Sequence, residues 1–292
     1  PCSGGRQMPM HYSNKNLRIV SQSSATGTQY LQSVGCALTR KLEKNKEVVY
    51  VSSGEGTTSQ GDFHEALNWA SREKAPVIFH IQDNEYAIST HRSEQTAGSV
   101  YSLVSGYENL SKIQVDGTNF FESSLAFRQS VERARRGKGP TVIVSNVVRL
   151  MPHSSSDDQR KYRSQEDLEK DIARDPIDLF KNTCIKENIF STKDVEKIDE
   201  KARKQIADDI IWADEQDHPD KDTALEHIYS EENVGNETKI IKKSDNIVMV
   251  DAINHALHEE MDKNEKMVVY GQDIADPKGG VFTATKGLST AF

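Results

Sequence analysis

The feature that most constrains the fold is the stretch Val48–Ser89, in which two short apolar runs flank a helical pattern. The apolar runs are Val48–Val51 and Val77–Ile81, and the helical pattern covers roughly Asp62–Arg72. A strand, a helix and a strand over this length predict a βαβ unit with parallel strands and a right-handed crossover. The loops after both strands then open at the same edge of the sheet, where α/β proteins bind ligands.

Polar residues follow both apolar runs at the point where each predicted strand ends. Glu55 lies between Gly54 and Gly56 after the first strand, and Asn84 follows the second strand 29 residues further along the chain. A carboxylate, an amide oxygen and a nearby backbone carbonyl are hard oxygen ligands, which suit Mg²⁺ or Ca²⁺ rather than zinc. The two glycines allow the backbone to approach a phosphate, and the following helix N-terminus offers free N–H groups. The stretch therefore predicts a site that holds a diphosphate through a divalent metal.

Other glycine-rich motifs fit this stretch less well. A dinucleotide-binding fingerprint requires glycine at the position of Ser59, and a P-loop requires a Gly-Lys-Ser/Thr sequence that does not follow here. His64-Glu65 is not a zinc-protease motif, because Asn68 stands where the second histidine is needed. The plain alternative is a glycine-rich turn without a site, and the partner at Asn84 with its flanking sequence argues against that alternative.

These residues resemble the thiamine diphosphate signature, in which Gly-Asp/Glu-Gly is followed, after a gap of this size, by an asparagine that ends an apolar strand. The flanking sequences GEGTTSQGDFHEALNWA and APVIFHIQDNEYAIS resemble the α part of the 2-oxo acid dehydrogenases, the decarboxylating components of the pyruvate and branched-chain complexes. The resemblance implies thiamine diphosphate and Mg²⁺ as cofactors, with three metal ligands: Glu55, Asn84 and the carbonyl oxygen of Tyr86. It also implies that the cofactor is contacted at Gly54, Gly56 and Thr57.

The segment before the first strand reads as a loop followed by a helix. Gly5–Tyr12 resembles the family's GRQMP-H segment, which lines the cofactor channel, although alone it reads as a surface loop. The helical pattern runs through Leu42, with Ser23 or Ser24 as a candidate N-cap. Its predicted inner positions are Leu31, Val34, Leu38 and Leu42. The resemblance implies that backbone near Ser24 and Thr26 meets the cofactor's aminopyrimidine. It further implies a monovalent cation, K⁺, held through Ser23, Thr28 and Gln29.

Further strands and a helix follow the βαβ unit. After a loop with a short helix at Thr90–Gly106, the pattern predicts strands at Lys112–Val115 and Thr141–Val147, with a helix at Phe120–Arg136 between them. The predicted inner positions of that helix are Leu125, Phe127, Val131 and Ala134. The predicted fold class is therefore α/β, a thiamine diphosphate-binding fold with a parallel sheet flanked by helices.

A second functional stretch, Arg149–Ser164, follows the last of these strands. Alone it reads as a flexible polar loop with an ordinary exposed histidine at His153. It resembles the family's Arg-x-x-x-His-Ser-x-Ser-Asp-Asp…Tyr-Arg segment, which implies that His153 is the active-site histidine and that Arg149 lies near the diphosphate. A histidine can donate to a diphosphate or substrate oxygen and can exchange protons near neutral pH. Ser154 and Ser164 match positions phosphorylated in mitochondrial relatives, but the sequence shows no kinase and predicts no phosphorylation.

The C-terminal third begins with a predicted amphipathic helix at Lys193–Glu215, which we expect to form core or a subunit contact. A polar linker follows at 217–245. Asn246–Asp262 then predicts a helix and Lys266–Tyr270 a strand, and the next residues, GQDIA and GGVF, resemble the beginning of the family's β part. The predicted domains are an α-type cofactor-binding domain at 1–216, the linker, and the start of a β-type α/β domain at 246–292, fused in one polypeptide. We expect the parent protein to be longer at both ends.

The chain departs from the family pattern at five positions. Glu55 stands where many members have aspartate, which keeps the ligand atom, and Asp83 stands where the first of two asparagines is usual. Ala25 replaces a proline beside the K⁺ positions. Pro152 stands where branched-chain members often have a second histidine, and Gln272 replaces the usual glutamate of the β part.

Composition limits the remaining classes of function. The 292 residues are 35% hydrophobic and 28% charged with a formal net charge of −8, which is typical of a soluble globular protein. Basic residues are not gathered into one cluster, so we expect no nucleic acid partner, and no apolar run is long enough for a membrane span. The polar start without Met has no signal peptide and suggests a fragment, and three cysteines without metal spacing fit the cytoplasm.

The resemblance implies the oxidative decarboxylation of a 2-oxo acid and transfer of the acyl group to the lipoyl group of a partner acyltransferase. It favours a branched-chain substrate through Glu55 and through Tyr162-Arg163-Ser164. The implied partners are a β-type domain or subunit, the acyltransferase, and further copies of the fused chain in a homo-oligomer. The open alternatives are a pyruvate or acetoin dehydrogenase component and a non-catalytic assembly subunit of the same fold. We expect the activating glutamate of the β part to lie beyond Phe292.

Overall fold

The computed structural model describes residues 4–8, 10–21, 23–226, 228–229 and 246–292. Cys2, the proline of the GRQMP segment (Pro9) and most of the predicted linker at 217–245 lie outside the described residues. The chain forms two compact units, Pro1–Ala224 and Leu225–Phe292. The finer predicted division into 1–216, 217–245 and 246–292 stays a prediction.

The first unit is built on a four-stranded sheet in the order β1-β2-β6-β5, in which every neighbouring pair is parallel. Its strands are β1 (Val49–Gly54), β2 (Val77–Asp83), β5 (Ser111–Asp116) and β6 (Thr141–Asn146). A small antiparallel hairpin pairs β3 (Tyr86–Ala87) with β4 (Thr90–His91) directly after β2. The predicted α/β class and the predicted parallel βαβ unit are confirmed, with α2 (Gly61–Glu73) as the crossover helix.

Helices cover both faces of the sheet. The remaining helices of the first unit are α1 (Gln29–Leu42), α3 (Arg92–Gln95), α4 (Val100–Leu103), α5 (Phe120–Arg135), α6 (Gln165–Ile172), α7 (Pro176–Lys186) and α8 (Thr192–Asp214). One face packs against α1 and α2, where the large buried side chains are Tyr30, Phe63, Leu67, Phe79 and Ile81. The other face packs against α5. Burying the apolar strands on both faces is what a parallel sheet requires.

The first helix begins later and turns a different face inward than the sequence predicts. It starts at Gln29, and neither Ser23 nor Ser24 caps it, because Gly27 makes a turn at φ +99° before the helix. The fully buried apolar positions are Tyr30, Val34 and Ala37, whereas Leu42 is 70% exposed. The prediction of Leu42 as core is wrong, and Leu31 and Leu38 are only partly buried at the margin of the core. The buried face follows Tyr30 because its ring packs against Phe63 and Phe79.

Two other helical faces also differ from expectation. In α5 the buried residues are Ala126, Ser130 and Ala134, and the prediction of Leu125 as an inner position is wrong since it is 56% exposed. Small residues face the sheet here, which lets the helix approach closely. The long helix α8 opens with a capping box formed by Ser191 and Asp194, but none of its residues is buried. The prediction that its apolar face belongs to the core is therefore wrong, and a role in subunit contact stays a prediction.

The second unit contains α9 (Met249–Lys263) and α10 (Leu288–Ala291). The helix predicted at Asn246–Asp262 is confirmed with a later start, but the strand predicted at Lys266–Tyr270 is wrong, because these residues make no ladder with any described strand. A short apolar run cannot form a strand without a partner to complete its backbone hydrogen bonds. Across the described ranges, no helix combines the length and the apolarity that a membrane crossing would need.

Candidate cofactor and metal site

The centre of the candidate site is the pair Glu55 and Asn84, which lie just beyond the ends of β1 and β2. Gly54 pairs in register with Gln82, so the sheet places the residues that follow these two side by side. The Glu55 Oε2 atom accepts a hydrogen bond from the backbone N–H of Asn84 at 3.2 Å. The prediction that one crossover brings these two residues together is confirmed.

The Glu55 carboxylate is buried in the turn that follows β1. The residue is 1% exposed, and its Oε1 atom has no hydrogen-bond partner among the described residues. Burial raises the pKa of Glu55 above its ordinary value, and the nearby charge of Asp83 acts in the same direction. Hydrogen bonds from backbone N–H groups and the positive charge of Arg149 act against that rise. A buried carboxylate oxygen that lacks a partner is costly, and a bound divalent cation would satisfy it.

Asn84 opens a tight turn that presents oxygen atoms next to Glu55. Its Oδ1 atom accepts a hydrogen bond from the backbone N–H of Tyr86 at 3.1 Å, which leaves one lone pair of the amide oxygen. Glu85 occupies the left-handed region at φ +70°, so the turn reverses the chain into the β3–β4 hairpin. A carboxylate, an amide oxygen and the carbonyl of Tyr86 make a donor set that suits Mg²⁺.

The two glycines beside Glu55 differ in their surroundings. A Cβ atom at Gly56 would lie 2.6 Å from the Cβ of Ala87, whereas the nearest atom to one at Gly54 would be the Gln82 carbonyl oxygen at 3.9 Å. Gly56 thus permits the Glu55 turn to approach the hairpin closely. The sequence predicted a different role for this glycine, the approach of the backbone to a phosphate. Thr57 lies half-buried in the same short 3₁₀ turn, Glu55–Ser59.

The turn before α1 packs against this 3₁₀ turn. A Cβ atom at Gly27 would lie 2.8 Å from the Cβ of Gln60 and 3.9 Å from a methyl group of Thr57. Ser24 is exposed, with its Oγ atom 3.2 Å from the ring Nε2 of His11 in the GRQMP-H segment, and Thr26 is also exposed. The predicted aminopyrimidine contacts therefore lie on the surface of a loop that adjoins Thr57.

The three residues predicted to hold K⁺ each use their side-chain oxygen within the local turn. Ser23 Oγ accepts from the Ala25 N–H, Thr28 Oγ1 donates to the Ala25 carbonyl, and Gln29 Oε1 accepts from the Gly27 N–H. These bonds close the turn before α1. Each oxygen keeps further accepting capacity, so a monovalent cation would have to share atoms that already bond the backbone.

Arg149 reaches back from the end of β6 to the hairpin. Its guanidinium donates to the Ile88 carbonyl at 2.7 Å and to the Tyr162 hydroxyl at 2.7 Å, and it lies over the rings of Tyr86 and Tyr162. The Nε atom of Arg149 is buried and has no hydrogen-bond partner within the described part of the chain. The sheet and hairpin thus place one arginine beside the predicted metal ligands.

His153 lies at the tip of a turn that its neighbours hold in shape. The Asp157 carboxylate accepts hydrogen bonds from the backbone N–H of His153 at 2.9 Å and from the Tyr162 hydroxyl at 2.6 Å. These bonds lower the pKa of Asp157 from its ordinary value. The His153 side chain is exposed, and its imidazole makes no hydrogen bond to any residue that the structure describes. The ring is therefore free to meet a substrate.

Arg163 holds the whole segment together, a structural role that the sequence did not predict. Its side chain is 3% exposed and donates to Asp171 at 2.6 Å, to the Gln159 side chain and to the Arg149 carbonyl. It also lies over the Tyr86 ring. The predicted flexible loop is thus an ordered segment built around a buried charge. The signal was the family-like Tyr-Arg pair, whose charged member must be paired if it is buried.

Comparison with known proteins gives a consistent assignment. The family model described as "Dehydrogenase E1 component" matches residues 1–222. The 2-oxoisovalerate dehydrogenase subunit alpha of Bacillus subtilis is 41% identical over 198 residues, which are 68% of this chain and 59% of that protein. The mitochondrial 2-oxoisovalerate dehydrogenase subunit alpha 1 of Arabidopsis thaliana is 34% identical over 72% of this chain and 45% of its own.

A pyruvate dehydrogenase relative covers more of the chain at lower identity. The E1 component subunit alpha of Staphylococcus epidermidis is 33% identical over 244 residues, which are 82% of this chain and 65% of that protein. The chain thus spans less than two thirds of the length of each of these relatives.

Proposed function

The chain belongs to the dehydrogenase E1 component family, and on that premise we propose that it is part of a thiamine diphosphate-dependent 2-oxo acid dehydrogenase. The proposed reaction is the oxidative decarboxylation of a 2-oxo acid, with transfer of the acyl group to a lipoyl group on a partner acyltransferase. A branched-chain 2-oxo acid is the favoured substrate, because the relative with 41% identity is a 2-oxoisovalerate dehydrogenase subunit.

The observation that carries the proposal is the buried Oε1 atom of Glu55, which has no hydrogen-bond partner in the described part of the chain and lies beside the turn at Asn84. Mg²⁺ would be held by Glu55, by the amide oxygen of Asn84 and by the carbonyl of Tyr86, and it would bind the diphosphate oxygens. The thiamine ring supplies the nucleophilic carbon and the electron sink that decarboxylation needs. The residues present in this chain fit such a group, since the candidate ligand atoms are oxygens beside the buried carboxylate of Glu55.

The other predicted residues take supporting roles in this proposal. Backbone at Gly54, Gly56 and Thr57 would border the diphosphate. Arg149, which lies over the Tyr86 ring, would add positive charge near Glu55. Backbone near Ser24 and Thr26 would meet the aminopyrimidine. A K⁺ ion at Ser23, Thr28 and Gln29 would stiffen the turn before α1.

His153 is the proposed catalytic residue of this chain. Its exposed imidazole would orient the 2-oxo acid and exchange protons with it, since an imidazole can do both near neutral pH. The bond from its backbone N–H to Asp157 fixes the turn without occupying the ring. The site therefore separates a rigid anchor for the metal from an accessible acid–base group.

The proposed function also involves partner proteins and a cellular location. A β-type domain or subunit would supply the remaining groups of the site, and an acyltransferase would accept the acyl group. The proposed working form is a homo-oligomer of fused chains in the cytoplasm. The alternative substrate is pyruvate, which is favoured by the relative that covers 82% of this chain.

A decarboxylation assay of the intact protein, together with its β-type part, tests the proposal. We expect turnover of 3-methyl-2-oxobutanoate, with lower kcat/KM for pyruvate, and no turnover when thiamine diphosphate or Mg²⁺ is left out. Activity that survives removal of thiamine diphosphate would contradict the proposed function.

A further inference from the structure

The turn that carries Asn84 is held by a charged residue on the far side of the hairpin. Arg92 is the first residue of α3, and its guanidinium contacts Asp83 Oδ2 at 2.7 Å and Glu85 Oε1 at 2.9 Å. The backbone N–H of Arg92 also donates to the Glu85 carbonyl at 2.8 Å. One arginine thus contacts the residues on both sides of Asn84.

Asp83 makes this contact necessary. Its side chain is 1% exposed, and its Oδ1 atom accepts only the backbone N–H of Glu85 at 3.1 Å among the described residues. A charged partner stabilises a buried carboxylate, and Arg92 provides one for Asp83. Asp83 stands at the position where asparagine is usual in the family pattern, so this chain has a buried negative charge that an asparagine would not bring.

The same short helix also reaches the other half of the site. The Gln95 side chain donates to the Gly56 carbonyl at 3.0 Å, directly after Glu55. Helix α3 therefore contacts the Asn84 turn through Arg92 and the Glu55 turn through Gln95. Mg²⁺ demands near-ideal octahedral geometry, whereas Ca²⁺ accepts variable geometry. We therefore expect the binding of Mg²⁺ to depend more strongly than the binding of Ca²⁺ on how firmly these turns are held.

We propose that Arg92 is a positioning residue for the metal site, which offsets the buried charge of Asp83 and holds Asn84 in place through Asp83 and Glu85. This inference rests on the proposed function, because it assigns Arg92 a role toward the same metal. Arg92 does not contact the metal or the cofactor. It acts on the position of a ligand, as groups behind metal ligands commonly do.

The test measures retention of thiamine diphosphate by the intact protein in equilibrium dialysis, as a function of Mg²⁺ or Ca²⁺ concentration. We expect Arg92→Gln to raise the Mg²⁺ concentration for half-saturation by about 10-fold or more, which is typical for loss of a partner behind a ligand. The increase for Ca²⁺ should be smaller. Loss of a nearby charge alone would change both divalent cations alike, so the ratio distinguishes positioning from simple electrostatics.

A double variant and a matched control complete the test. Asp83→Asn with Arg92→Gln removes both charges and should recover Mg²⁺ half-saturation to within about threefold of wild type, since no buried charge is left unpaired. Arg40 has the same 31% side-chain exposure as Arg92 and also pairs with two carboxylates, Glu43 and Glu47, so Arg40→Gln should leave both cations unaffected.

The outcomes separate this inference from the proposed function. Wild-type protein that does not retain thiamine diphosphate with Mg²⁺ would contradict the proposed function itself. If wild type retains the cofactor, the inference on Arg92 is overturned by an unchanged or lower Mg²⁺ requirement in Arg92→Gln. Equal losses for Mg²⁺ and Ca²⁺, or a double variant no better than the single one, would overturn it as well.

Discussion

The Oε2 atom of Glu55 accepts a hydrogen bond from the backbone N–H of Asn84 at 3.2 Å, across the ends of two adjacent parallel strands. The bond orients the carboxylate so that its second oxygen is buried and without a partner in the described chain. Because the sheet register fixes both backbones, the Glu55 carboxylate reaches the backbone N–H of Asn84. We propose that such a preformed site would bind a cation with little reorganisation, at a cost in the stability of the metal-free protein.

The cost in stability can be measured with the variant Glu55→Gln. Burial raises the pKa of Glu55, so between its unfolded and folded pKa values the folded chain holds more protons and loses stability as pH rises. We expect metal-free Glu55→Gln to be more stable than wild type at pH 8, by about 1–3 kcal/mol, the penalty of one unsatisfied buried group. The gain should shrink toward pH 4, where wild type carries a proton on Glu55.

Urea unfolding at the two pH values measures this difference. Glu94→Gln is the control, because Glu94 is an exposed carboxylate on the neighbouring helix α3. A Glu55→Gln chain that is less stable than wild type at pH 8, or a difference that does not vary with pH, would contradict the account of this carboxylate.

His153→Ala should reduce catalysis while leaving the fold intact. The imidazole makes no hydrogen bond within the described residues, so its loss should change the free energy of unfolding by no more than about 0.5 kcal/mol. The kcat for 2-oxo acid decarboxylation should fall by about 10²-fold or more, the usual contribution of an acid–base group. His218→Ala, at an exposed position, is the control. Wild-type kcat in His153→Ala would exclude a catalytic role.

Arg163→Gln should unfold the segment that presents His153. Removing one partner of a buried pair costs about 3–5 kcal/mol, and the Arg163 side chain is 3% exposed in its contact with Asp171. We expect lower stability in urea and faster proteolytic cleavage within 149–164. Arg160→Gln is the matched control, since the Arg160 side chain is 78% exposed in its pair with Asp158. Equal behaviour of the two variants would show that the buried arginine does not hold the segment.

Gly56→Ala should disturb the contact between the Glu55 turn and the hairpin. The added methyl group would lie 2.6 Å from the Ala87 Cβ atom, and overpacking of this kind costs about 1–3 kcal/mol. We expect a lower Tm by differential scanning fluorimetry, with recovery in the double variant Gly56→Ala with Ala87→Gly. Gly61→Ala is the control, because a Cβ atom there meets nothing within 4 Å. A Tm for Gly56→Ala that matches this control would contradict the close approach.

The strands of the sheet were predictable because β1, β2 and β6 contain compact apolar runs and β5 alternates polar and apolar residues. Parallel pairing follows from the crossover helix. The meeting of Glu55 and Asn84 followed from the same logic. Which face of a helix is buried was less predictable. In α1 a tyrosine and an alanine face the core while Leu42 is exposed, since long-range contacts of Tyr30 with Phe63 and Phe79 decide the rotation.

The fixed conformation of the polar segments could not be predicted from local sequence either. Arg163 pairs with Asp171 on the helix that follows its segment, and Arg92 pairs with Asp83 across the β3–β4 hairpin. Polar sequence predicts a loop, but it does not predict which charge is buried and paired. The strand expected at Lys266–Tyr270 failed for a related reason, because strand formation depends on a neighbouring strand.

The most direct test of the central account is the binding of thiamine diphosphate to the intact protein, measured by isothermal titration calorimetry with and without Mg²⁺. We predict saturable binding of thiamine diphosphate that requires Mg²⁺, and no comparable binding of thiamine without its diphosphate. In Asn84→Ala we predict weaker binding of thiamine diphosphate, which Mg²⁺ no longer strengthens. Binding of thiamine diphosphate that is equally strong without Mg²⁺, or unchanged in Asn84→Ala, would contradict the assignment of Glu55 and Asn84 as the metal anchor.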